Sequence, residues 1–140
     1  MHLTGACLCG SITYEILHQP SNVADYCHCR ECRRWGGAPV LAWVQIPPKN
    51  FHLTRGTARP YAASPNATRW FCPDCGSPLY MTDPANTSIG ITIGTLDNPE
   101  AVHPTVHGWI CERISWFNTH DELPKYDRAP PYDLVEGTEK

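Results

Sequence analysis

Three cysteines fall within six residues in Cys27-His28-Cys29-Arg30-Glu31-Cys32, with Arg30, Arg33 and Arg34 threaded among and behind them. Thiols spaced C-x-C-x-x-C can converge on one metal ion, and zinc is the usual occupant of such a set. Three ligands are one short of a closed tetrahedron. An open fourth position separates a zinc that does chemistry from one that only holds a fold together. Cys111, His28 and His107 are the residues of this chain that could close it.

Two more cysteine pairs flank this cluster in sequence. In Gly5-Ala6-Cys7-Leu8-Cys9-Gly10 the glycines let the backbone turn tightly, so both sulfurs can face one ion. Cys72-Pro73-Asp74-Cys75-Gly76 has the form of a zinc knuckle, whose turn aims backbone N–H groups at the sulfurs and helps hold thiolate charge. The simplest partition sets Cys7, Cys9, Cys72 and Cys75 in a closed four-sulfur site and Cys27, Cys29 and Cys32 in a three-sulfur site. The closed site is expected to be structural, with Zn²⁺ favoured and iron on the same four thiolates as the alternative.

The three-sulfur site permits a sharper expectation. Three thiolates make zinc a poor Lewis acid for hydrolysis but a good acceptor of a fourth sulfur. Coordination deprotonates a thiol outright, so such a centre suits the capture of a thiol as a nucleophile towards a small electrophile such as an aldehyde. The three arginines could offset the cluster's charge or hold a substrate carboxylate by bidentate hydrogen bonds, their alternative being ordinary solvated charges. His28, between two ligands, is expected to turn its ring away from the metal. Cys111, beside Ile110, reads as a buried free thiol. The five tryptophans read as core, with Trp35 near enough to the cluster to line a pocket.

The elements that must position these groups are short. Ile12, Tyr14 and Ile16 alternate with polar residues in a half-buried strand over 11–17, and Val40 to Ile46 reads as a buried strand ended by Pro47-Pro48. Residues 18–25 read as a loop, and Arg30 to Arg34 as a short helix broken by Gly36-Gly37. Phe51 to Leu53 and Arg59 to Ala62 read as strands joined by a turn at 54–57. Ile89, Ile91 and Ile93 share one strand face. Gly90, Thr92 and Gly94 share the other, which implies something large packed against it. Residues 103–110 read as a further strand, 129–140 as a proline-containing tail and 136–140 as frayed. The expectation is a mainly β, loop-rich domain over 1–128.

Composition agrees and sets limits. Leu, Ile, Val and Phe make up under a fifth of the 140 residues, so metal sites would help a thin core. Fourteen prolines favour turns over long helices. A formal charge of −3 without a basic run argues against a nucleic-acid partner. No signal-like start and no run of 18 apolar residues argue for no membrane partner and a cytoplasmic location, where cysteines serve metals more than disulfides.

The cysteine pattern, with Phe71, Gly76 and Leu79 around the knuckle, resembles the glutathione-dependent formaldehyde-activating enzyme family, also called the centromere-protein-V-like family. Thr95-Leu96-Asp97-x-Pro99, His107 with Trp109, Trp116-Phe117 and Asp121-x-Leu123-Pro124 are similar too. The resemblance implies an Mss4-like fold of several coiled antiparallel sheets around a structural zinc. It implies two Zn²⁺ sites: a structural one at Cys7, Cys9, Cys72 and Cys75, and a catalytic one at Cys27, Cys29 and Cys32. It further implies a carbon–sulfur lyase whose partners are a small thiol, glutathione being the family's, and a small electrophile such as formaldehyde. A non-catalytic zinc-stapled binding module is the alternative, and it requires the second site to be closed by Cys111 or a histidine.

Overall fold

A computed structural model of the chain describes residues 2–17 and 23–132. Most of the expected loop at 18–25 and the expected frayed end at 136–140 lie outside the described residues. Among the described residues ten strands form two sheets, with one α-helix of seven residues, α1 (Arg30–Gly36), in keeping with a mainly β chain. No helix among them is long and apolar enough to cross a membrane.

The smaller sheet is antiparallel and orders β1 (Leu3–Ala6), β2 (Thr13–Ile16) and β5 (Phe51–Arg55) side by side. The larger contains β3 (Ala24–Cys27), β4 (Leu41–Ile46), β6 (Arg59–Ser64), β7 (Ala67–Phe71), β8 (Pro78–Thr82), β9 (Ile89–Thr92) and β10 (Val106–Gly108). Its order is β10-β3-β4-β9-β8-β7-β6. Every neighbouring pair is antiparallel except β10 and β3, which run parallel. That departure from an all-antiparallel expectation has a visible route. After β9 the chain passes along β1, with the Asp97 N–H on the Thr4 carbonyl, and reaches the far edge beside β3. Such a long crossover is what a parallel neighbour requires.

The alternation legible in the sequence is what packs the sheets together. Tyr14 and Ile16 from the small sheet, with Ile12 just before β2, meet Val44, Ile46, Tyr80, Ile89 and Ile91 from the large one in a single core. Each fully buried Val, Leu or Ile contributes about 1.5–3 kcal/mol. The opposite face of the large sheet carries Trp43, Gln45, Arg69 and Met81. Arg69 pairs with Met81, Met81 with Gly90, and Gly90 with Gln45 across four strands. The side chain missing at Gly90 is what the large neighbours need: a Cβ there would lie 3.0 Å from Gln45 Nε2 and 3.3 Å from Trp43. Gly94 lies beyond the strand, and a Cβ there would meet nothing.

Other expectations need correcting. The turn expected at 54–57 starts later, since Thr54 and Arg55 belong to β5, and it closes no hairpin: β5 pairs with β2 and β6 with β7, so the chain passes there from one sheet to the other. Strands β1, β3, β7 and β8 lie where no strand was expected. Trp43 is core, but Trp116 is 73 % exposed, because Ile114 to Phe117 forms a turn on the surface. Cys111 is exposed rather than buried, standing in a 3-10 turn over Ile110–Glu112.

Candidate metal centre

The sulfurs of Cys7, Cys9, Cys72 and Cys75 lie within 4.8 Å of one another. Cys7 and Cys9 are 3.6 Å apart, and Cys9 and Cys72 3.8 Å. Four sulfurs about 2.3 Å from a central zinc form a tetrahedron with edges of about 3.8 Å, so this donor set fits the ion. Two turns build it. Cys7 precedes β2, Cys72 follows β7, and each turn closes on a glycine of positive φ, Gly10 at +79° and Gly76 at +78°. L-residues with side chains seldom adopt that conformation. The Ile12 N–H donates to Cys7 Sγ at 3.3 Å and the Asp74 N–H to Cys72 Sγ at 3.4 Å. The Ser77 hydroxyl, followed by its backbone N–H, holds the Cys75 thiol down at about 5. These dipoles favour thiolates, the form a metal binds.

The sulfurs of Cys27, Cys29 and Cys32 form a second group within 4.8 Å. Cys27 ends β3, Cys29 caps α1, and Cys32 sits one turn into the helix, its N–H donating to Cys29 Sγ at 3.3 Å. Cys29 is held far below the usual thiol range, chiefly by hydrogen bonds from Cys27 and Cys32. Cys27 is pushed far above it, chiefly by Cys29. Cys32 is pulled down by Cys27 but pushed up by Cys29 and by burial, to about 11. Three sulfurs so close do not all ionise unaided, whereas a divalent cation takes all three as thiolates. Among the described residues the group stops at three. Cys111 stands elsewhere on the surface, and His28 turns to His107.

The two groups differ in surroundings. Cys7 and Cys72 are buried in the main core, whereas Cys27, Cys29 and Cys32 line a cavity of about 370 Å³ that does not reach the other four. Trp43, Met81 and Trp109 supply apolar wall, while Arg30 and Glu112 stand at its exposed side. Asp25 and Tyr132 are paired within it at 3.3 Å. Burial raises the Asp25 carboxyl to about 7, with the Tyr132 hydroxyl pulling the other way.

None of the three arginines beside the cluster hydrogen-bonds a sulfur, which fits the alternative reading of solvated charges. Arg34 is exposed, Arg33 Nε donates to the His28 carbonyl at 3.4 Å, and Arg30 is solvated at the cavity's edge. The cation on the cluster is Arg69 of β7, with both terminal nitrogens 3.7 Å from Cys32 Sγ. Burial works against its charge, yet Cys32, Cys29 and Glu31 together raise its pKa. Its guanidinium lies over Trp35 at 5.2 Å, and Trp35 stacks on Trp43. Trp35 therefore backs the arginine instead of lining the cavity. The period-2 pattern Ala67, Arg69, Phe71 against Met81 was the available signal, but it required knowing the strand register.

The family model for the glutathione-dependent formaldehyde-activating enzyme matches residues 2–112. An uncharacterized lyase of Schizosaccharomyces pombe is 34% identical over 78 residues, which are 55% of this chain and 55% of that protein. The match thus spans about half the length of that curated relative. The crystal structure of a Rhodobacter sphaeroides protein superimposes with a TM-score of 0.57 at 19% identity, covering 88% of this chain and 98% of that one. At that identity the likeness concerns the fold.

Proposed function

Because the chain belongs to the glutathione-dependent formaldehyde-activating enzyme family, we propose that it is a zinc-dependent carbon–sulfur lyase. In this reading Cys27, Cys29 and Cys32 hold the catalytic metal, and Cys7, Cys9, Cys72 and Cys75 hold a structural one. The observation that carries it is a set of three thiols, not four, on the wall of a cavity large enough for a small thiol. Bound by those three sulfurs, zinc would lower the pKa of a thiol brought to it and keep it nucleophilic.

The chain's own residues supply the rest. Trp43, Met81 and Trp109 cover the carbon skeleton of the thiol and limit water near its sulfur. Arg30 and Glu112, at the exposed side, suit a substrate that carries both carboxylate and ammonium groups, as glutathione does. When the sulfur adds to an aldehyde carbon, one C–S bond forms and the carbonyl oxygen becomes a hydroxyl by taking up a proton. The reverse breaks the same bond. Formaldehyde is the proposed electrophile by family membership.

The test is a titration of the cobalt-substituted protein with glutathione, without oxygen, followed in the sulfur-to-cobalt charge-transfer band. A saturable rise with d–d bands moving towards four sulfurs supports the reading, and turnover with formaldehyde is then measured by loss of free aldehyde. A spectrum already at four sulfurs and indifferent to thiols would overturn it. The binding-module alternative required Cys111 or a histidine as fourth ligand, and among the described residues none of these groups lies with the three sulfurs.

A further inference from the structure

Among the described residues Arg69 is the only lysine or arginine that is buried. A guanidinium taken out of water needs a counter-charge and satisfied hydrogen bonds. Its carboxylate neighbour is a weak one: Glu31 lies 3.5 Å away with half its side chain in solvent. Its close partner is a sulfur, since both terminal nitrogens point their fork at Cys32 Sγ from 3.7 Å. The plane is fixed from behind by Trp35 and Trp43, whose rings lie within 3° of parallel. Strand register puts it there, because Arg69 faces Met81 on the cavity side of the large sheet.

We propose that Arg69 is a positioning residue that sets which fourth ligand the three-sulfur centre accepts, favouring an anionic sulfur over a neutral nitrogen or oxygen donor. This rests on the reading of Cys27, Cys29 and Cys32 as a thiol-binding metal centre. Three thiolates on a divalent ion leave one net negative charge, which repels a fourth anion. The guanidinium cancels that charge. Its two N–H groups also draw electron density from Cys32 and so spread the negative charge of the cluster away from the incoming anion. A thiolate is therefore added to a neutral ensemble. A neutral ligand such as imidazole gains nothing from the cancellation.

The experiment uses cobalt-loaded protein, wild type and Arg69→Gln, titrated separately with 2-mercaptoethanol and with imidazole. The first carries no charge except on its sulfur, and the second is a neutral donor. Arg69→Gln is expected to weaken 2-mercaptoethanol by about 10–100-fold, the scale on which losing a partner of a metal ligand lowers metal affinity or activity, and to leave imidazole nearly unchanged. Equal weakening of both, or of neither, overturns the proposal. Arg69→Lys keeps the charge without the fork and is expected to lose less for the thiol and nothing for imidazole. It serves as the test if Arg69→Gln does not fold, and equal losses overturn the proposal there too. If wild-type protein takes up no thiol, the lyase reading fails separately. The role of Arg69 is then read from the ligand-free cobalt protein, whose charge-transfer band should move to longer wavelength in Arg69→Gln. An unmoved band overturns it.

Discussion

His28 Nε2 lies 2.8 Å from His107 Nδ1, so a ring set between two cysteines of the three-sulfur group is tied to β10 and not to the sulfurs. The direction of that bond follows from the far end of the chain. The Thr119 hydroxyl, with His107 and a backbone N–H also contributing, holds Asp121 at about 2, so its carboxylate accepts from His107 Nε2–H. In the neutral imidazole with its hydrogen on Nε2, the other nitrogen of His107 is an acceptor, and His28 donates to it from Nε2–H. Burial keeps His28 neutral, with its pKa lowered to about 4. The arrangement fixes the peptide that carries Cys27 and Cys29.

His107→Phe tests this clamp. Phenylalanine preserves the stacking on Tyr26, whose ring centroid lies 4.9 Å from that of His107, but removes both ring nitrogens. His28 would then be left with a buried donor lacking a partner, which costs about 1–3 kcal/mol. Urea denaturation of the zinc-loaded protein should show that loss while metal content stays unchanged. Equal stability would mean that the network contributes nothing net.

The two cysteine groups should respond differently to the loss of one sulfur. Cys75→Ser is expected to release one zinc and to destabilise the whole protein. Its group joins the turn before β2 to the turn between β7 and β8, and Cys7 and Cys72 belong to the main core. Zinc at such sites supplies folding free energy on the order of 10 kcal/mol in small peptides. Cys32→Ser is expected to release one zinc too, yet to leave the main core assembled, because its group lies on the opposite face of the large sheet. Metal analysis and thermal melting of both variants decide it. Identical melting behaviour would erase the distinction.

How much of this was legible beforehand depends on range along the chain. The cysteines announced themselves because ligand pairs lie two or three residues apart, and the seven sulfurs do gather in the two expected groups. Arg69 did not, since it reaches Cys32 from 37 residues away through strand register, which no local pattern states. The strand β1 was missed because four residues with a central glycine carry almost no periodicity. A break near Gly56 was visible by composition, though the strand runs on to Arg55, and composition does not say which sheet a following strand joins. Trp116 and Cys111 were misplaced for a related reason. Residue type suggests burial, and surface turns override it.

Close packing at Gly5 gives a stability prediction independent of metal. A Cβ there would sit 2.2 Å from the Tyr14 ring carbon Cζ and 2.6 Å from the Thr95 carbonyl oxygen. Tyr14 is held in place by the core and by its hydroxyl contact with Thr95 at 2.8 Å, so it has little room to give. Gly5→Ala should therefore destabilise by about 1–3 kcal/mol or more, as overpacking does. Gly94→Ala, where a Cβ meets nothing within 4 Å, should stay within about 0.5 kcal/mol of wild type. Paired denaturation curves test the contrast, and similar losses at both positions would contradict the close approach at Gly5.

The reactivity of the eight thiols reports how many of them are ligands. Cys111 and Cys9 are the two exposed cysteines, so exposure alone predicts two that react quickly with a water-soluble disulfide reagent. Coordination predicts one. A thiolate locked in a closed four-sulfur zinc site shares its electron pair with the ion and reacts slowly with the reagent, and Cys9 belongs to the four-sulfur group while Cys111 belongs to neither group. Zinc-loaded protein should thus release one equivalent of thiol rapidly, and Cys111→Ala should abolish that phase without changing the zinc content. A chelator strong enough to strip both groups should then expose the remaining seven together with loss of the fold. A second fast equivalent in loaded protein, assigned to Cys9 by its loss in Cys9→Ser, would show that the four-sulfur group does not hold a metal. The structural role assigned to it would then have to rest on packing of Cys7 and Cys72 in the core.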